Sequence, residues 1–185
     1  EDLIRTFYKC DRVSFREGRV LLKMAPHLVG IKLTRSIHGA KDASGKREEI
    51  LHAGRRITVA IHDQLVKQGI NEIEIDPIDL GGAFAVTDVA SPVDGVILAE
   101  ANTEITVEKL SKIIDPASQV DTIEVFFPER DEVGPMLSNT IRKDNIKTAD
   151  EALVEIYRRI RPGDPPTRET SRALFYKCLD AGIDC

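Results

Sequence analysis

The sequence predicts an α+β fold in which short strands and short helices mix within one small domain, with helical segments beside it. Residues 55–75 and 103–125 form an internal repeat, and each copy combines a helical pattern with a strand pattern. Residues 12–15 and 19–24 are short strand-forming segments separated by a turn. From Thr148 onward, apolar residues instead recur with the spacing of an amphipathic helix.

The composition is typical of a globular chain. Hydrophobic residues make up 42% and charged residues 31% of 185 residues, which suits one substantial domain or two small ones. The longest apolar runs, such as 96–99, are far too short to span a bilayer. Cys10, Cys178 and Cys185 have no CxxC spacing, which argues against zinc and fits a reducing compartment. Because residue 1 is not Met, we expect a piece of a longer protein.

Local patterns predict the elements of the first third of the chain. Apolar residues within 1–9 have helical spacing, and Glu17-Gly18 favours a hairpin turn between two strands. In chain order we predict a helix at 1–9, strands at 12–15, 19–24 and 29–37, and a mobile polar loop at 39–46.

The internal repeat predicts two pseudo-symmetric units of the same domain. Each copy contains Ile-Thr-Val, then a helical pattern, then an Ile-Glu-Ile or Ile-Glu-Val strand. We expect Thr58 and Thr106 to cap the two helices through their side-chain oxygens. Between the copies, residues 83–89 and 93–101 are predicted to be apolar strands, joined by a Ser-Pro-Val-Asp-Gly turn at 91–95.

The C-terminal region predicts two helices separated by a rigid link. Thr148 and Glu151 form a capping box for the first, and Pro162-Gly163 ends it. Thr167 can cap the second helix. The apolar face of the first helix is predicted to consist of Leu153, Ile156, Tyr157 and Ile160. The buried positions of the second helix are predicted to be Ala173, Leu174 and Cys178.

Charge is distributed unevenly along the chain. Residues 1–47 carry 11 Lys and Arg against 5 Asp and Glu, whereas residues 60–135 carry 4 against 16. The acidic middle should repel nucleic acid, and the more basic ends could attract it. Arg158, Arg159 and Arg161 could bind phosphates or a carboxylate surface. Alternatively they cap helix carbonyls and pair locally, since a glutamate lies four residues before Arg159.

The sequence contains no recognisable catalytic, cofactor-binding or metal-binding motif. Its four histidines lack the spacing of a metal pair, and there is no nucleophile elbow, Walker loop or dinucleotide fingerprint. We therefore predict no catalytic, cofactor-binding or metal-ligating residues in this chain. Two other classes stay open: an adaptor or small-ligand-binding domain with a pocket around 91–95, and a hydrolase that uses His62.

Four segments resemble one protein family in the same order. Residues 152–169 read ALVEIYRRIRPGDPPTRE, which closely resembles the beta subunit of bacterial DNA-directed RNA polymerase, in its lobe. Residues 54–58 read GRRIT and are similar to a lineage-specific insertion in that lobe, as is 110–125. Residues 134–144 are similar to the stretch that leads back into the lobe. The resemblance extends from residue 1 to about 176.

The resemblance implies a three-part organisation. Residues 1–24 would be the lobe segment before the insertion, and residues 25–135 the insertion domain with its pseudo-repeat. Residues 136–185 would be the helical return into the lobe. Arg161, and with it Arg158, matches lobe positions near promoter DNA in this family.

The resemblance also implies a function in transcription. The chain would be a non-catalytic module that contributes to the downstream DNA channel wall and to docking of regulators. The assembled nucleotidyltransferase uses magnesium bound outside this stretch. The implied partners are the other polymerase subunits, a sigma factor, promoter and downstream DNA, and regulatory proteins on the insertion. No association with a membrane is implied. The implied location is the bacterial cytoplasm, in association with the nucleoid.

Overall fold

The computed structural model describes residues 1–41, 45, 47–146 and 148–180, and it has the predicted α+β class. The chain forms two compact units, Glu1–Ile141 and Arg142–Cys185, which are described separately. Among the described residues, no helix combines the length and the apolar character needed to cross a membrane.

The first unit contains nine strands and four helices among its described residues, the last helix running two residues past the unit boundary. The strands are β1 (Cys10–Arg16), β2 (Arg19–Lys23), β3 (Ile37–Lys41), β4 (Arg47–Leu51), β5 (Glu72–Ile75), β6 (Phe84–Ala85), β7 (Val89–Ala90), β8 (Ile97–Ala99) and β9 (Thr122–Phe126). The helices are α1 (Asp2–Phe7), α2 (Val59–Lys67), α3 (Val107–Ile114) and α4 (Met136–Lys143).

A five-stranded antiparallel sheet with the order β5-β2-β1-β9-β6 organises this unit. The β1–β2 hairpin turns at Glu17 and Gly18, whose φ values of 52° and 71° are those of a type I′ turn. The predicted hairpin is therefore confirmed. One sheet face carries Val13, Ile73 and Val125, which are buried in the main core together with residues of α2 and α3.

A smaller second core lies where α1 meets the sheet. Ile4 and Tyr8 pack with Val86 and Phe126, and the Tyr8 and Phe126 ring centroids are 4.7 Å apart. The Tyr8 hydroxyl donates to the Gly134 carbonyl at 2.7 Å and accepts from the Ser138 N–H at 3.1 Å. Tyr8 thus links the end of α1 to the start of α4, although the two helices lie far apart in the sequence of this unit.

Four predicted elements of this unit need correction. Residues 29–37 are not a continuous strand, because Gly30 adopts φ 92°, residues 29–36 make one isolated bridge, Lys32 with Arg56, and Ile37 already belongs to β3. Residues 83–89 and 93–101 contain only the short strands β6, β7 and β8. Of the predicted mobile loop, residues 39–41 belong to β3, while residues 42–44 and 46 lie outside the described residues.

Both repeat copies contain the predicted capped helix and strand, and further matching elements precede each helix. The side chains of Thr58 and Thr106 accept hydrogen bonds from the N–H groups of Ile61 and Lys109, so both cap their helices. Before each helix, a 3-10 turn, a bridge and a two-stranded hairpin occur in the same order, as Pro26–Leu28, Lys32–Arg56 and β3–β4, and as Pro77–Leu80, Phe84–Glu104 and β7–β8.

Backbone conformation confirms that the two copies are equivalent. Gly54 and Asn102 both have positive φ, 73° and 55°, just before the cap threonines. The Gly54 N–H donates to the Leu33 carbonyl, and the Asn102 N–H donates to the Ala85 carbonyl, both at 2.8 Å. The structure therefore extends each copy back by about one 3-10 turn, one bridge and one hairpin.

Candidate nucleic-acid interface

The arginines singled out by the sequence lie at the end of a well-capped helix in the second unit. This helix, α5 (Ala149–Ile160), begins with the predicted capping box, in which Thr148 and Glu151 exchange side-chain-to-backbone hydrogen bonds. Its acidic residues lie in the first turn and its basic residues in the last turn, as the helix dipole favours. The local sequence therefore fixes where the arginines are presented.

The three arginines differ in their partners. The guanidinium groups of Arg158 and Arg159 each lie 3.6 Å from the carboxylate of Glu155, and both side chains are largely exposed. Arg161 follows the helix as its C-terminal cap residue and is exposed. Among the described residues, no carboxylate lies within ion-pair distance of Arg161. Arg161 is therefore the arginine of this cluster that is most available to an external anion.

The backbone around Arg161 is held by a compact turn. The Arg161 N–H donates to the Tyr157 carbonyl at 2.8 Å, and the Asp164 N–H donates to the Arg161 carbonyl at 3.3 Å. Gly163 occupies the turn with φ 93°, a conformation that other residues adopt rarely. The predicted Pro162-Gly163 helix stop is confirmed.

A side-chain contact closes this turn. The Tyr157 hydroxyl donates to Asp164 Oδ2 at 2.6 Å, and this hydrogen bond raises the pKa of Tyr157 above its usual value. The positive charge of Arg161 opposes part of that shift. The apolar spacing of the helix predicts only that Tyr157 lies on its apolar face and gives no indication of a contact with Asp164. An acidic residue beside a Pro-Gly turn is the pattern that could have indicated this contact.

The second helix of this unit, α6 (Arg168–Asp180), is less apolar than predicted. Thr167 caps it as expected, because its hydroxyl accepts from the Thr170 N–H at 3.2 Å. Ala173 is exposed, and Leu174 and Cys178 are only partly buried, so the predicted buried positions are wrong for Ala173. Ser171 is instead the buried residue, with 1% of its surface exposed.

The apolar face predicted for α5 is only partly covered in this chain. Tyr157 is 4% exposed, whereas Ile156 and Ile160 are 38% and 43% exposed. The Arg168 side chain reaches back to Asp150 at 2.5 Å and joins the start of α6 to the start of α5. The turn that carries Arg161 therefore connects α5 to α6, and the buried Tyr157 and the Arg168–Asp150 ion pair help to stabilise this helix pair.

His62 and the turn at 91–95 carry the two alternative functions, a hydrolase and a ligand-binding domain. His62 lies on α2 with its Nδ1 3.5 Å from Asp63, and it has no hydrogen bond to a serine or cysteine among the described residues. In the turn at 91–95, the Ser91 hydroxyl accepts from the Val93 N–H and the Asp94 carboxylate accepts from the Val96 N–H. The hydrogen bonds from Val96 and Ser91 lower the pKa of Asp94. The polar groups of this turn thus bond within it.

No group of three or more His, Cys, Asp or Glu side chains is placed to hold a metal ion within the part of the chain that the structure describes. The Cys10 thiol is half-buried, and burial together with the nearby Glu124 charge raises its pKa to about 11. A thiol with such a pKa is poorly suited to act as a nucleophile near neutral pH.

Comparison with known proteins identifies a related segment, although no protein-family model matches the chain. The chain is 44% identical over 182 residues, 95% of its length, to the DNA-directed RNA polymerase subunit beta of Koribacter versatilis (strain Ellin345). It is 39% identical over 175 residues, again 95%, to the subunit beta of Solibacter usitatus (strain Ellin6076). The chain spans 12% of the length of each relative.

These matches cover almost the whole of this chain and correspond to one segment of a large polymerase subunit. The resemblance to the beta subunit of bacterial DNA-directed RNA polymerase is confirmed: the chain matches one segment of that family.

Proposed function

We propose that this chain acts in transcription as a module of the beta subunit of a bacterial DNA-directed RNA polymerase. The observation that carries the proposal is 44% identity to such a subunit over 95% of the chain. Identity at this level, spread over both compact units, supports a shared fold and a shared place in the larger protein. The activity would be that of the assembled nucleotidyltransferase, with catalysis and magnesium binding contributed by residues outside this chain.

The proposed organisation follows the resemblance. Residues 1–24 would belong to the lobe, residues 25–135 would form the insertion domain, and residues 136–185 would return into the lobe. In the structure, β1 and β2 of the first segment share a sheet with β5, β6 and β9. The insertion would therefore be anchored to its host segment by strand pairing.

The proposed DNA-facing residues are Arg161 and, with it, Arg158. Arg161 is exposed, lies outside ion-pair distance of every described carboxylate, and sits on a hydrogen-bonded turn that limits its backbone freedom. Such a guanidinium can contact a phosphate without first breaking an ion pair. Arg158 would have to exchange Glu155 for a phosphate, which weakens its contribution.

The proposed partners are the other polymerase subunits, a sigma factor, promoter and downstream DNA, and regulatory proteins that dock on the insertion. A transcription enzyme with these partners would work in the cytoplasm at the nucleoid. The acidic stretch 60–135 suits a surface directed away from DNA.

The experiment is purification of the native assembly. An affinity tag is placed on the gene that encodes this segment, and the proteins that co-purify with the full-length product are identified by mass spectrometry. We expect the remaining polymerase subunits in near-stoichiometric amounts and promoter-dependent RNA synthesis by the eluate. A full-length product that purifies without polymerase subunits would refute the proposal.

A further inference from the structure

A groove of about 940 Å³ lies on the first unit, on the face of the sheet that points away from the main core. Side chains alternate along β1, so Val13 and Phe15 enter the core while Arg12 and Arg16 lie on the opposite face. The β3 strand and the segment before it border the groove. The groove is therefore built from regular strands rather than from loop tips.

Basic side chains outnumber acidic ones among the described lining residues of this groove. Six of these residues are Lys or Arg: Arg12, Arg16, Arg19, Lys23, Arg35 and Arg47. The carboxylates among the described lining residues are those of Glu72 and Glu74. Both are engaged within the lining, since Glu72 lies 3.2 Å from an arginine of β1 and Glu74 pairs with an arginine of the segment before β3.

Three of the basic residues keep their charge available. Arg19, Lys23 and Arg47 are exposed, and none has a carboxylate within ion-pair distance among the described residues. Arg12, by contrast, lies 3.4 Å from Glu124. Among the described lining residues, these three cations therefore remain available to bind an anionic ligand in the groove.

The pseudo-symmetry of the unit supplies an internal comparison. The equivalent position in the second copy is a groove of about 520 Å³, lined by the residues before and within β7, by β9, and by Arg5 and Arg12. Both of these arginines pair with Glu124, which also lines this groove. Thr87 and Asp88 stand there at the positions that Arg35 and Ser36 occupy in the first copy. The smaller groove thus differs in that both of its arginines are paired with a carboxylate. Of the cations in the larger groove, the first copy itself contributes Arg35 and Arg47, and β1 and β2 contribute the others.

The lining distinguishes between possible anionic partners. Leu21 and Ile70 are partly buried between the cations and offer apolar contact. No Phe, Tyr or Trp side chain lies among the described lining residues, and the ring they offer for stacking against a nucleic-acid base is the imidazole of His38. Its volume suits a short segment of chain. Aliphatic contacts between cations match a peptide in which carboxylates alternate with apolar side chains.

We propose that this groove binds an extended, acidic peptide segment of a partner protein, with carboxylates held by Arg19, Lys23 and Arg47. Arginine side chains are suited to this role because the guanidinium group binds a carboxylate through two parallel hydrogen bonds. The proposal concerns the first unit alone. It goes beyond the proposed transcription function and does not depend on which face of the second unit meets DNA.

The test uses the 185-residue chain and a fluorescein-labelled decapeptide in which Glu alternates with Leu. Binding is followed by fluorescence anisotropy at low salt. We expect the variant Arg19→Glu/Lys23→Glu/Arg47→Glu to bind at least about tenfold more weakly than the unchanged chain, because three attractive charges become repulsive. Circular dichroism verifies the fold, and the milder triple substitution to Gln replaces the variant if the fold is lost.

A matched control carries the same net charge change elsewhere. Lys112→Glu/Lys143→Glu/Lys177→Glu alters three exposed lysines that are not among the groove lining residues, and we expect it to bind the decapeptide within about twofold of the unchanged chain. Equal loss of binding in the control and the groove variant would overturn the proposal, since only overall charge would then matter. Absence of binding by the unchanged chain would overturn it as well.

Two competitors test the chemical class of the ligand. We expect neither decathymidylate nor inorganic phosphate to displace the decapeptide at an equal concentration of negative charge. Tighter binding of decathymidylate that is lost in the groove variant would assign the groove to nucleic acid and refute the peptide proposal. Full displacement by phosphate would reduce it to a simple anion site. A chain that passes these tests but fails to co-purify with polymerase subunits would refute only the proposed function.

Discussion

Replacement of Asn102 tests how the second repeat copy is joined to α4. Asn102 is 4% exposed and lies in the left-handed region at φ 55°. Its Nδ2 donates to the Ser138 carbonyl at 2.9 Å, and its Oδ1 accepts from the Ser138 hydroxyl at 2.6 Å. Ser138 itself is completely buried, so water cannot replace these bonds without a structural change.

The expected cost has two separable parts. Asn102→Gly removes both hydrogen bonds but keeps a residue that tolerates positive φ, and leaving buried polar groups unsatisfied costs about 2–4 kcal/mol here. Asn102→Ala removes the same hydrogen bonds and also replaces a residue that tolerates positive φ with one that does not, which costs roughly 1–2 kcal/mol more. A total of about 3–6 kcal/mol is a large share of the stability of an ordinary domain, which is about 5–15 kcal/mol.

The repeat provides the matched control. Gly54 is the equivalent residue of the first copy, with φ 73°, and a β-carbon added there would meet Lys32 Cε at 3.6 Å, an ordinary contact. Gly54→Ala should therefore carry only the backbone cost, about 1–2 kcal/mol. The stability difference between Gly54→Ala and Asn102→Ala isolates the hydrogen bonds to Ser138.

Urea unfolding followed by far-UV circular dichroism measures these differences, since the chain has no Trp to report fluorescence. We expect the order of stability to be unchanged chain, Gly54→Ala, Asn102→Gly, then Asn102→Ala. If Asn102→Gly were as stable as the unchanged chain, the buried bonds to Ser138 would contribute nothing and the reasoning would be refuted.

Three further predictions use charge and titration. In the full-length polymerase, Arg161→Ala should shorten the open-complex lifetime and lower the salt slope by about 0.7–0.9, whereas Arg159→Ala should do neither; equal effects would contradict the proposed DNA-facing side. Although partial burial opposes it, hydrogen bonds from Arg5 and a second arginine hold the pKa of Glu124 below its ordinary 4.5. The contribution of Glu124 to folding stability is therefore complete above pH 4.5 and is lost as the pH falls. In an acid titration, the Glu124→Gln variant should consequently lose less stability than the unchanged chain. Cys10, with a pKa of about 11, should react with iodoacetamide at pH 8 at least about tenfold more slowly folded than unfolded, as peptide mass spectrometry can measure.

The elements that the sequence determined are those set by neighbouring residues. The Glu17-Gly18 turn follows from backbone conformational preference, since both residues adopt positive φ. The Thr58 and Thr106 caps and the Thr148 capping box follow from side chains that bond backbone groups three residues away. The family resemblance was likewise present in short runs of consecutive residues, above all 152–169. Such features need no knowledge of the rest of the chain.

Segments with partners distant in sequence were predicted less well. Residues 29–37 have a strand-like composition, yet they bend at Gly30 to meet Ile57, whose N–H donates to the Ile31 carbonyl at 2.9 Å. No periodicity within the segment contains that partner. The same reason explains why only part of each repeat copy was found, since the earlier bridges and hairpins share geometry but little residue identity.

The tertiary structure alone decided what the charged residues do. In the sequence, residues 1–47 are simply a basic stretch, but strand alternation and sheet order collect Arg19, Lys23 and Arg47 beside one groove. The sequence also could not place Asp164 on the Tyr157 hydroxyl or Ser138 against Asn102. Local preferences choose helices, turns and caps, whereas only the folded chain brings distant side chains within hydrogen-bonding or Coulombic range, and the candidate sites depend on those distances.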